Sequence, residues 1–256
     1  ACSILGVWSS VRVMKGRDFT TVQKGAGGLS RRRLSAGESI AAYAGIVLVL
    51  LVVLSPHLGL LILSFAQIWS FAPLPDAWTL QHYASVFADS TFMIRNTLLY
   101  CGLAALIDVA IGVTIAYLIL RTRLPGRQWL DFAASAAIAV PGIVLAIGYL
   151  RTFQGVQVGG VPITQTWLLI MIAYAVRRLP YALRSCMAAL QQINVSLEEA
   201  AEMLGASGWR TVRRIVIPLM AGGILAGFVS SFITAAVELS ATILLVVRES
   251  QAPMSY

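Results

Sequence analysis

Five stretches of this chain are long and apolar enough to cross a bilayer. They run from about Ile40 to Leu63, Leu98 to Leu120, Phe132 to Leu150, Ile163 to Leu179 and Leu219 to Val247. A helix needs roughly 20 residues to span the hydrocarbon core. In lipid every backbone N–H and C=O must be paired inside the protein, so runs of this kind form helices. A mean hydropathy of +0.81 sets the chain apart from soluble globular domains. The expected fold is therefore all-α, a polytopic transmembrane helical bundle. The fourth run is the shortest, with a clean core of only Thr166–Val176 before Arg177 and Arg178.

The charges are placed as a membrane topology would place them. Lys and Arg number seven before the first run, one in the first loop, three in the second, one in the third, six in the fourth and one after the last. Alternate loops thus hold sixteen against three. The positive-inside rule then predicts a cytoplasmic N-terminus and a cytoplasmic loop over about 180–218. The basic balance is accounted for by topology, and no nucleic-acid partner is expected. Residues 1–39, mixing Gly, Ser and basic residues, read as a cytoplasmic linker ahead of a membrane domain over 40–256. Cys2, Cys101 and Cys186 have neither paired nor metal-binding spacing. Cys101 is expected at a membrane edge and Cys186 in a cytoplasmic loop. His57 and His82 stand alone, so no metal site is expected.

The polar island from Ser196 to Pro218 is the most distinctive segment. Ser196 and Glu199 have the spacing of a capping box. Leu197, Ala200, Ala201 and Leu204 then recur as a narrow apolar stripe, with Glu198, Glu199 and Glu202 on the other faces. Gly205 is placed to end this helix in a left-handed conformation. A second helix is expected from about Ser207 to Ile217, with Trp209, Val212 and Val216 on one side and Arg210, Arg213 and Arg214 on the other. Pro218 marks the start of the fifth span. Upstream, Leu183, Met187 and Leu190 form a further stripe. The whole reads as a helix–Gly–helix projection able to slot into a groove on a partner, with Glu199 offering a carboxylate.

Glu199-Ala200-Ala201, Gly205, Ile215, Ile217 and Pro218 fall at a spacing that resembles the EAA loop of binding-protein-dependent ABC importer permeases. Ile217 stands where that family usually has Leu. The resemblance covers about Ile40 to the end and implies several things. Glu199, Ala200, Ala201, Leu204, Gly205, Ile215 and Pro218 would couple the chain to a cytoplasmic ABC ATPase. ATP and Mg would sit on that ATPase, with no cofactor bound by this chain. A second permease half, fused or separate, and a periplasmic or lipid-anchored substrate-binding protein would complete a transporter in the bacterial inner membrane. Such permeases usually have six spans, so a sixth is expected beyond Tyr256. Ala139–Ala146, Glu238–Leu245 and Phe19–Gly25 resemble the ferric-iron permeases in particular, often tandem fusions, of which this chain would be most of a second half. Importers of 2-aminoethylphosphonate, thiamine or polyamines share much of the pattern.

Ionisable residues inside a bilayer face a partner or a cavity. Asp108 in the second run and Glu238 in the fifth are candidates for the translocation pathway, together with Pro141, which is expected to kink the third span. Gly223 and Gly227 form a GxxxG pair suited to close helix packing. An enzyme is not expected. Neither Lys15 nor Lys24 belongs to a phosphate-binding loop, and no HExxH is present. The alternative is an ion-gradient-driven secondary transporter, in which Asp108, Glu238 and Pro141 would serve coupling. That alternative, like a non-transporting scaffold, leaves the loop spacing unexplained.

Overall fold

The computed structural model describes residues 34–70 and 74–256. The expected linker and Phe71–Pro73 therefore fall almost wholly outside the described residues. The chain divides into two compact units, one up to Ala88 and one from Asp89 to Tyr256.

In the first unit, α1 (Ala36–Phe65) starts four residues before the apolar run. Its N-terminus is closed by a capping box in the polar residues ahead of the apolar run. The Glu38 N–H donates to Ser35 Oγ at 3.3 Å, and the Ser35 N–H donates to Glu38 Oε2 at 2.9 Å. Large apolar residues from Ile46 to Leu54 are exposed all along it, as suits a helix solvated by lipid. After it, Gln67 and Thr79 pair with Ala77 and Phe65 across a short bridge leading to α2 (Gln81–Asp89). His82 Nε2 lies 3.0 Å from the Ala66 carbonyl oxygen, an ordinary structural role.

The second unit is built on three long helices in mutual contact: α3 (Thr91–Arg121), α6 (Trp167–Gln191) and α9 (Ala221–Ala236). Between the first two come α4 (Arg127–Ala139), α5 (Gly142–Thr152) and a hairpin of β1 (Gln157–Val158) and β2 (Val161–Pro162). Small residues allow the close packing. A Cβ on Gly223 would meet the Ala189 Cβ at 2.3 Å, and one on Gly227 would lie 3.2 Å from the Ala182 Cα. The GxxxG pair thus serves an intrachain contact between α9 and α6. After α9 the chain breaks, forms the short α10 (Thr242–Leu245) and returns to the start of α3. There Asn96 Nδ2 donates to the carbonyls of Ser250 and Ala252 at 2.9 and 3.1 Å.

Four expectations need correction. The third span is broken, not kinked: α4 and α5 meet at 107°. Val140 and Pro141 are both extended, because proline lacks the helical donor and excludes helical geometry from the residue before it. The fourth run does not end at Leu179. It continues as helix to Gln191, carrying Arg177, Arg178 and Pro180 inside it. The fifth span, by contrast, is shorter than expected, since its helix ends at Ala236 and Glu238 lies in the break beyond. Finally, Cys186 lies fully buried in α6 and not in a loop; Cys101 is fully buried in α3.

Candidate functional site

Two groups of residues in the second unit have more chemistry than packing requires. The first lies where three chain breaks and turns converge on α6. Glu238, only 4% exposed, sits just past α9. Its Oε2 takes an ion pair from Arg177 Nε at 3.0 Å and another from Arg178 Nη2, while Oε1 accepts the Ala241 N–H at 3.3 Å. The Glu238 carbonyl accepts hydrogen bonds from the hydroxyls of Thr242 and Ser255. Gly142, the first residue of α5, lies against the same group: a Cβ there would fall 2.4 Å from Arg177 Nη1 and 3.0 Å from Glu238 Oε1. Thus the break after Pro141 and the break after Ala236 are held together through an arginine pair on the continuous helix.

Asp108, 1% exposed in α3, accepts a hydrogen bond from Ser231 of α9 and is within electrostatic reach of Arg178. Asp108 Oδ1, Arg177 Nη1 and Arg178 Nε have no hydrogen-bond partner among the described residues. Sequence reasoning named Asp108, Pro141 and Glu238 but missed Arg177, Arg178, Gly142 and Ser231. A signal was available. Ile172, Val176, Leu179, Leu183, Cys186 and Leu190 recur at alternating spacings of four and three on both sides of the two arginines, the pattern of one continuous helix.

The second group is the loop after α6. Helix α7 (Ser196–Met203) is not opened by a capping box at Ser196. Asn194 caps it instead, its side-chain oxygen accepting the Ser196 N–H at 3.0 Å, so the helix starts earlier and Ser196 is already in its first turn. The far end is as expected. Gly205 has φ +80°, and the Gly205 and Ala206 N–H groups donate to the Glu202 and Ala201 carbonyls at 2.9 and 3.0 Å, a Schellman closure.

Helix α8 (Gly208–Leu219) follows, bent by 68° from α9. Over Val212–Val216 it widens to π geometry, with the Ile217 N–H bonded to the Val212 carbonyl. The widened turn comes directly before Pro218, which has no donor to offer. Ile215 lies half-buried in that turn and Pro218 is exposed.

The expected apolar stripe is mostly unburied. Ala201 alone packs inward, while Leu197, Glu199, Ala200 and Leu204 are exposed. Met203 and Leu204 are 88% and 90% exposed, so the end of α7 is a bare apolar tip, while the exposed Trp209 of the following helix lines a cavity with Val109, Val113 and Tyr117 of α3. Glu198, expected on an outer face, is instead buried. Its Oε1 pairs with Arg121 Nε at 2.6 Å, and its Oε2 accepts from Tyr117 Oη at 3.3 Å.

Residues 108–250 match the family model for the inner membrane component of binding-protein-dependent transport systems. Among curated proteins, the ferric transport system permease of Actinobacillus pleuropneumoniae is 33% identical over 183 residues, covering 70% of this chain and 26% of that protein. A ferric permease relative from Haemophilus influenzae is 34% identical, covering 68% of this chain and 28% of its own length. The chain thus spans about a quarter of these two relatives. The sulfate transport system permease of Escherichia coli is 28% identical over 84% of this chain and 77% of that protein. Among solved structures, a bacterial ABC transporter involved in alginate import shares the fold. Its TM-score is 0.65 at 19% identity, over 87% of this chain and 80% of that one.

Proposed function

The chain belongs to the family of inner membrane components of binding-protein-dependent transport systems, and on that premise we propose that it lines a translocation pathway and couples it to a cytoplasmic ATPase through α7. The observation that carries the coupling half is the exposed tip of α7. A projection whose end leaves Met203 and Leu204 bare, with Glu199 one helical turn before Met203, is built to be covered by another protein. ATP and Mg belong on that partner, and the N-terminus and the loop face the cytoplasm. Moving Arg177 and Arg178 into the bundle lowers the basic count on that side to fourteen, still far above three.

The pathway half rests on the cluster around Glu238. Buried ionisable groups in membrane helices face partners or a hydrated cavity. Here they sit at the junction of two broken helices, the kind of irregular backbone that membranes tolerate only beside protein or water. Glu238, Asp108 and the break at Pro141 are therefore assigned to the pathway or its gate.

For the substrate we favour ferric iron, on the two ferric permease relatives. Such a chain would work with a second permease half and a periplasmic or lipid-anchored binding protein. One observation favours an oxyanion instead: the sulfate permease matches over a larger share of both chains. Competitive uptake of radiolabelled iron, sulfate and molybdate by cells expressing the complete transporter separates these readings. Iron uptake that depends on this chain supports the first, and sulfate or molybdate uptake without iron replaces it.

Coupling is tested by capture of the cognate ATPase on the complete permease in nanodiscs. Glu199→Lys is expected to weaken capture at least about tenfold, the loss of roughly 1.4 kcal/mol in a charge-sensitive contact. Gly205→Val forces a β-branched residue to φ +80° and is expected to weaken capture by misplacing α7. Both variants should insert normally. Capture unchanged in both would remove α7 from the interface.

A further inference from the structure

The buried pair between Arg121 and Glu198 is absorbed neither by docking nor by the pathway. Arg121 is the last residue of α3, and its guanidinium reaches two other helices and the loop between them. Its Nε donates to Glu198 Oε1 at 2.6 Å, and its Nη2 donates to the Leu190 and Ile193 carbonyls at 3.2 and 2.7 Å. Those carbonyls belong to the final turn of α6 and the residues just beyond it. Both side chains are nearly closed off from solvent, at 10% and 9% exposure.

The electrostatics favour this arrangement from every side. A cation at the ends of α3 and α6 meets two negative helix termini, and Glu198 in the first turn of α7 meets a positive one. The planar fork of arginine can bridge carboxylate and carbonyls at once, which an ammonium cannot do with fixed geometry. Apart from this bridge, α7 lies chiefly against α8.

We propose that Arg121 and Glu198 form a rigid latch that makes α3, the end of α6 and α7 move as one body, so that displacement of α7 is delivered directly to the membrane helices. This rests on the reading of α7 as the coupling element. Arg121 and Glu198 are positioning residues in it, touching neither substrate nor nucleotide. A loose loop would absorb a push from its partner through its own bending. A loop bolted to two membrane helices by a buried, charge-assisted bridge cannot do so without breaking that bridge.

The test is a distance measured in two nucleotide states. Spin labels are placed at Ser196→Cys on α7, away from the apolar tip, and Thr114→Cys on α3, both exposed, in a Cys2→Ser background; Cys101 and Cys186 are buried. Double electron–electron resonance is recorded on the full transporter with its ATPase, without nucleotide and trapped with ATP and vanadate. In the otherwise native chain the distance is expected to stay the same. Glu198→Gln is expected to keep the ATPase bound but let the distance shift or broaden by about 2–5 Å between states, the scale of helix displacements in switching transitions. Tyr117→Phe, which leaves the ion pair in place, should behave as the native chain.

A native distance that itself changes with nucleotide overturns the latch. So does a Glu198→Gln distance that stays fixed while the ATPase is bound. Loss of ATPase capture in Glu198→Gln alone would make Glu198 a docking residue and overturn the latch as well. Failure of the native chain to bind any candidate ATPase is a separate result, which removes the coupling reading and the latch with it.

Discussion

Glu238→Ala is expected to destabilise the membrane bundle by about 3–5 kcal/mol, the usual cost of removing one partner from a buried ion pair. The carboxylate serves two guanidinium groups and one backbone N–H, and it is 4% exposed. Without it, Arg177 and Arg178 remain inside the bundle as adjacent like charges with no acid between them. The break at Gly142 would lose the group it is packed on, and the turn after Ala236 would lose its Ala241 tie. Glu238→Gln keeps an acceptor for that N–H and should lose less. Thermal unfolding of the purified permease in nanodiscs, followed by tryptophan fluorescence, measures both. A Glu238→Ala midpoint equal to that of the native chain would mean that the arginines find other partners and that the cluster is not a structural joint. Should the variant remain folded, substrate uptake is still expected to fall, because the two broken helices meet at this group.

The second large effect comes from a single methyl group. Gly223→Ala is expected to cost about 1–3 kcal/mol, although alanine is the better helix former by about 1 kcal/mol. The new Cβ would lie 2.3 Å from the Ala189 Cβ and 3.0 Å from the Ser185 carbonyl oxygen, so α6 and α9 would have to separate. Neither obstacle is the far end of a flexible side chain. The diagnostic result is rescue. Gly223→Ala combined with Ala189→Gly moves the methyl group from one helix to the other and should recover most of the loss as a coupling energy between the two sites. A neutral or stabilising Gly223→Ala, or a double variant no better than the sum of the single changes, would show that the two helices are not in the close contact described.

Much of the helix–Gly–helix projection was legible in the sequence because its signals are local. Gly205 ends α7 because a left-handed residue is needed there, and only the chain within a few residues decides that. The same holds for the breaking power of Pro141, although its outcome was underestimated: whether a proline kinks a span or divides it depends on what neighbouring backbone can compensate. The capping box expected at Ser196 was displaced to Asn194 by the same local chemistry, two candidate caps competing within three residues. At the other end of the chain, the box at Ser35 lies in the polar residues ahead of the apolar run, and hydropathy says nothing about caps.

What the sequence determined by itself is the class of molecule and part of its punctuation: apolar helical runs, the interruptions at Pro141 and Gly205, and a polar projection of recognisable spacing. These follow from hydropathy, periodicity and turn chemistry, which act over a few residues at a time. Only the tertiary structure decided that Arg177 and Arg178 lie inside the bundle, that Glu198 and not Glu199 is the buried member of its pair, and that Gly142 and Glu238 share one site. Each of these pairings joins residues far apart in the chain: Glu238 is 60 positions from Arg178, and Glu198 is 77 from Arg121. A charge read in isolation belongs to water. It can enter the bundle only where a partner of opposite sign is already in place, and that partner is supplied by another helix.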